Sequence, residues 1–121
     1  MTARTPRERG SMTVVLVAAL AVLSLIGIVG VCLTGAASAA HRARAAADLG
    51  ALAAAGALLE GVGSPCDVAG QIVERNGAQL RACELGAAQD VRVTAAVGVT
   101  FRLPGVEREA VARARAGPAQ P

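Results

Sequence analysis

Residues 11–40 read SMTVVLVAALAVLSLIGIVGVCLTGAASAA, thirty positions without a charge. About 20 apolar residues in a row span a bilayer as a helix. A helix apolar all round needs lipid or a large protein core to surround it. With 121 residues, the chain is too short to supply such a core. Met12 to Leu33 is therefore read as a transmembrane helix.

Two versions of that reading stand side by side. In one, residues 11–40 are a retained anchor. In the other, they are a secretory signal cut at the A-x-A-like site Ala37-Ser38-Ala39. The length favours the anchor, because a signal core runs to about 7 to 15 apolar residues. Residues 1–10 form a basic tail or leader carrying Arg4, Arg7 and Arg9 against Glu8. This bias puts the N-terminus in the cytoplasm and the rest outside. Gly27, Gly30 and Thr34 are candidates for close helix packing in the membrane, although Gly and Ala are abundant throughout. Cys32 reads as apolar filler.

Beyond the span, residues 41–60 contain neither Pro nor a β-branched residue and are dense in Ala. The helix should continue to about Glu60, since Ala is the strongest helix former. Leu49, Leu52, Leu59 and the alanines between them are the expected apolar stripe. Gly61-Val62-Gly63-Ser64-Pro65 breaks the helix. A short helix should follow, capped by Ser64, opened by Pro65 and stopped at Asn76-Gly77. Val68, Ala69, Ile72 and Val73 would be its buried face.

From Asp90 to Leu103 the pattern switches to strict alternation. Val91, Val93, Ala95, Val97, Val99, Phe101 and Leu103 share one face, which predicts a half-buried strand. A shorter strand near Gln79 to Leu85 can pair with it across Gly86-Ala87-Ala88-Gln89. Pro104-Gly105 should end the long strand. Val106 to Ala116 suits a third, edge strand or a helix, and residues 117–121 read as a frayed tail. The fold class expected is membrane α+β. A long N-terminal helix precedes a short helix and a small antiparallel β unit, with residues 61–116 as an extracytoplasmic cap.

One aromatic residue, Phe101, is all the chain offers, so the core of such a cap is thin. Small domains of this kind often carry a staple. Cys66 and Cys83 lie beyond the span and would close a loop of about 18 residues, stabilising by about 3 kcal/mol. The alternative is two separate thiols. Disulfides persist outside the cytoplasm, in agreement with the charge bias.

No chemistry announces itself. Ligand spacing for zinc is absent, as are a phosphate loop and a nucleophile elbow. His41 flanks the span beside Arg42 and Arg44, with no nucleophile in any visible motif. The carboxylates Asp48, Glu60, Asp67, Glu74, Glu84, Asp90, Glu107 and Glu109 read as solvated faces and caps. Arg108, Arg113 and Arg115 could meet acidic partners or lipid headgroups, but a solvated face is the plainer reading. After His41 nine arginines face eight acids, so the chain lacks the basic surface of a nucleic-acid binder. No enzyme activity, cofactor, metal or small-molecule substrate is expected.

Several stretches together resemble a known family. They are Arg9-Gly10-Ser11-Met12-Thr13-Val14, then His41-Arg42-Ala43-Arg44-Ala45-Ala46-Ala47-Asp48-Leu49, and the Cys66 to Cys83 segment with Asn76-Gly77-Ala78. Asp90-Val91-Arg92-Val93 and Ala114-Arg115-Ala116-Gly117-Pro118 complete the set. The plan is pilin-like, and the chain resembles the TadE-like proteins of Flp pilus assembly. The nearest form is the short variant of high-GC Gram-positive bacteria found beside helicase and Tad secretion genes. The resemblance implies a pseudopilin-like component or assembly factor. Its partners would be other Tad/Flp components, met through the membrane helix and the outer cap. It also implies a possible prepilin-peptidase cut between Gly10 and Ser11. Pilins and many TadE proteins carry a glutamate five residues after that cut, where this chain has Val15. Retention of the basic tail is the expectation that follows.

Overall fold

The computed structural model describes residues 6–99, 105 and 109–119, with side chains in the first helix from Gly10 onward. Five elements follow in order: α1 (Pro6–Glu60), α2 (Pro65–Arg75), β1 (Gln79–Leu85), β2 (Val91–Gly98) and β3 (Glu109–Ala116). The chain divides into two units, Met1–Thr34 and Gly35–Pro121.

The first unit is α1 alone as far as Thr34. Helix α1 begins at Pro6, several residues before the expected start near Ser11. Pro suits a first turn because its missing N–H would have no partner there. Its most apolar stretch is wholly unburied by protein.

The second unit has a three-stranded antiparallel sheet, order β1-β2-β3. The hairpin β1–β2 runs from Leu85↔Val91 to Gln79↔Ala96, with a bulge between Leu80 and Ala82. Its turn is closed by the Gly86 N–H donating to the Asp90 carbonyl at 2.7 Å. Gln89 takes a left-handed φ of 58°. A Cβ on Gly86 would stand 2.0 Å from Asp90 Oδ1, so any side chain here would have to push the Asp90 carboxylate out of its place. The ambiguous last segment is a strand: β3 pairs with β2 in unbroken register, from Val91↔Ala116 to Gly98↔Glu109.

The alternation read from the sequence sets the core. Val91, Val93, Ala95 and Val97 are all buried, and Val99 packs against the same cluster. Phe101 and Leu103 lie outside the described residues, as do Val106 to Arg108. In α2, Ala69 and Val73 are buried and Val68 and Ile72 half-buried. Ser64 precedes the helix as expected but makes no side-chain cap hydrogen bond. Asn76 ends it, with Gly77 at φ 73°.

The apolar stripe of α1 differs from expectation. Leu49, Leu52 and Leu59 are exposed. The buried face is instead Ala39, Ala43, Ala46, Ala47, Ala51, Ala54 and Ala55, packed with Val73, Val91 and Val93. The reason is distance. At Gly50 an added Cβ would lie 2.8 Å from Val73 Cγ2 and 3.5 Å from Val93 Cγ1. Around Gly50 the helix comes so near that only Ala and Gly fit beneath it; Leu49, Leu52 and Leu59 are turned out, while Leu58, further on, is half-buried against the same core. Dense packing makes up in contact number what small side chains lack in area.

Candidate interaction surface

Three surfaces stand out among the described residues. No three His, Cys, Asp or Glu side chains among them converge on a point.

The first surface is the apolar part of α1. Val, Leu and Ile side chains from Val14 to Leu33 are exposed on all sides. A Cβ added at Gly27 or Gly30 would meet nothing within 4 Å, so these positions are open notches on the helix. Thr34 Oγ1 donates within the helix, 2.9 Å from the Val31 carbonyl, and Ser24 Oγ donates 2.8 Å to the Leu20 carbonyl. Both hydroxyls are thus satisfied internally, as an apolar surrounding demands. Gly10 and Ser11, the candidate cleavage pair, lie inside α1. Cys32 is a free, half-buried thiol, and His41 is exposed.

The second surface is the outward side of α1 after Ala40. Ala45, Leu49, Leu52, Gly56 and Leu59 follow steps of four, three, four and three. That is the spacing of a seam that packs against another helix. It lies opposite the buried alanines, because 3.6 residues per turn put these two sets on opposed faces.

The third surface is the outer face of the sheet. A depression of about 460 Å3 is bordered there by Ala82, Glu84, Arg92, Thr94, Arg113 and Arg115. Arg81 of β1 pairs with Glu109 of β3 across β2, and Ala96 on that face of β2 is almost wholly buried. Asp90 corrects the reading of the carboxylates as solvated: its side chain is only 6% exposed. Arg115 Nε stands 2.6 Å from its Oδ2, and Arg92 Nε 3.8 Å. The contact is ionic, for Oδ2 accepts no aligned hydrogen bond among the described residues. A Cβ on Gly117 would lie 2.9 Å from the Asp90 Cβ. The corner thus ties the hairpin turn to the end of β3. Its sequence signal was available: two glycines, Gly86 and Gly117, in the loops flanking an acid and two arginines on neighbouring strands.

Cys66 and Cys83 form a disulfide, S–S 2.08 Å with Cα atoms 5.7 Å apart. The bridge joins the first turn of α2 to β1, which makes it the staple expected of so thin a core.

Comparison of the chain with family models, curated proteins and solved structures gives no match to any of them.

Proposed function

We propose that this chain is a non-catalytic, single-pass membrane protein acting as a pseudopilin-like component or assembly factor of a Tad/Flp-type pilus or secretion apparatus. The observation that carries the reading is α1 itself. One helix contains both an unburied apolar stretch long enough to cross a bilayer and, further on, a wall of the disulfide-stapled cap. The basic tail before it and the disulfide after it favour an N-terminus in the cytoplasm and a cap outside.

Retention of the anchor draws support from Ala39. A signal peptidase needs an accessible, extended site. Here residues 37–39 are helical and Ala39 is part of the buried core. The 4–3 seam from Ala45 to Leu59 adds a surface suited to a helix of a neighbouring membrane component. Val15 offers no carboxylate to a neighbouring subunit's amino terminus, so the reading favours a tail that is kept and a role in assembly.

N-terminal sequencing of protein purified from membranes, with identification of co-purifying proteins, tests this. The expected result is an intact or Met-trimmed N-terminus, with Tad/Flp components alongside. A start at Ala40 in the culture fluid would make the chain a secreted binding module. A start at Ser11 in sheared filaments would restore the full pilin route. An intact chain accompanied only by an unrelated membrane enzyme would point to a small regulator.

A further inference from the structure

The sheet has two edges, and the fold treats them differently. Beside β1 the edge is interrupted by the bulge at Leu80–Ala82 and held to α2 by the Cys66–Cys83 bridge. Both are ordinary ways of blunting an edge strand. The other edge is β3. It runs for eight residues without a bulge. Among the described residues no strand pairs with its outer side. A strand paired on one side only leaves its other row of N–H and C=O groups free to pair with an incoming strand.

A groove of about 590 Å3 adjoins that edge. Ala40, His41 and Arg44 of α1 form one side, and Val111, Ala112 and Arg113 of β3 the other. Among the described residues no carboxylate borders it. Arg44, Arg113 and Val111 are exposed, so two permanent cations and an apolar side chain face whatever enters. We propose that β3 and this groove bind an extended, acidic segment of a partner protein by strand addition. Backbone hydrogen bonds to β3 would supply the register. Arg113, on the outward face of β3, would select carboxylates on one alternate set of residues, and Arg44, reaching the same edge from α1, would add to the positive field there.

A second copy of this chain is a poor occupant, because its own β3 edge brings Arg44 and Arg113 toward the same two cations, and like charges across an interface are unfavourable. The partner is therefore an acidic segment of a different chain.

The test uses the full-length protein in detergent micelles. Probes are eight-residue peptides alternating Val with Glu or Val with Lys. The Val–Glu peptide is also made in two forms, each N-methylated at one of the two alternate sets of residues. The Val–Glu peptide should bind at least tenfold more tightly than the Val–Lys peptide and should protect alternate amides of β3 from exchange. One N-methylated form should lose binding while the other keeps it, because a strand pairs through one edge only. Arg113→Glu combined with Arg44→Glu, both at exposed positions, should lower Val–Glu affinity at least tenfold, with β1–β2 amide protection unchanged. The proposal is overturned by equal binding of both N-methylated forms, which means charge alone. No binding at millimolar peptide overturns it too. So does protection of β3 by anionic phosphatidylglycerol vesicles in place of the peptide, or concentration-dependent protection of β3 without any addition.

Discussion

The two halves of α1 are both largely apolar but are built from different residues, Val, Leu and Ile as far as Thr34 and chiefly Ala after it, and they use them in opposite ways. As far as Thr34, the bulky side chains point outward at every angle and the glycines are open notches. After Gly35, small side chains point inward at zero to a few per cent exposure, and Leu49, Leu52 and Leu59 are turned away. A helix that dissolves in lipid needs large apolar residues all round. A helix that packs closely on a sheet needs small ones on one side. Composition sets the two apart, and the direction in which side-chain size is distributed says what each half packs against.

The sharpest way to break that comparison is to place one charge in each unit. Val93→Asp buries a carboxylate where Val93 has no exposure, at a cost of roughly 4 kcal/mol or more. The cap should lose its protease resistance while the chain stays in carbonate-washed membranes. Val22→Asp sits in the middle of the proposed span and should do the reverse, with an insertion cost of about 3 kcal/mol and a cap that still folds. Membrane fractionation and limited proteolysis on both variants read the pair. A Val93→Asp cap as resistant as wild type would show that β2 faces the other way.

The next effect belongs to the staple. Replacing Cys66 and Cys83 together with Ser should destabilise the cap by about 3 kcal/mol, read as a lower urea midpoint. Cys32→Ser, on the other side of the division, should leave that midpoint where it was. If Cys32→Ser shifts it as far as the double replacement does, the staple is misassigned.

Close approach comes third. Gly50→Leu forces a side chain into Val73 and Val93, and overpacking of this kind costs about 2 kcal/mol. The same change at Gly27, where nothing lies within 4 Å, should leave cap stability untouched. Equal urea midpoints for the two variants would mean that α1 does not press on the sheet at Gly50.

Much of this fold is legible in the sequence because each element has its own period. The run without charge, the Gly-Val-Gly-Ser-Pro break and the alternation of Val91 through Val97 each fix one element with no reference to the others. The hairpin follows from two such elements and four turn residues. The buried side of residues 41–60 is not legible in this way. Leucine is the larger apolar residue, and area arguments put it inside. Only the distance between α1 and the sheet, set by Val73 and Val93 against Gly50, selects alanine instead. Asp90 was misread for a similar reason. Its burial comes from Gly86 in the same turn and Gly117 after β3; the glycines are visible in the sequence, but the meeting of Gly117 with Asp90 is set only by the β2–β3 register.

The smallest expected effect bears on the outward leucines. Leu49→Ser with Leu52→Ser removes two side chains that touch little of the cap, being 47% and 66% exposed. Exposed substitutions of this sort change stability within about 0.5 kcal/mol each, and the lower helix propensity of Ser accounts for much of that. Had these leucines formed the inner stripe, the same changes would cost about 2 to 5 kcal/mol apiece, as core truncations do. A urea titration of the cap therefore separates the two arrangements by several kcal/mol. The proposed role adds a second readout. If the 4–3 seam meets a helix of a membrane partner, the double variant should fold normally, reach the membrane and co-purify with less of that partner. A cap weakened by several kcal/mol would put the leucines inside and exchange the two faces of α1. A stable cap with undiminished partner recovery would leave the faces as described and remove the seam from the functional reading.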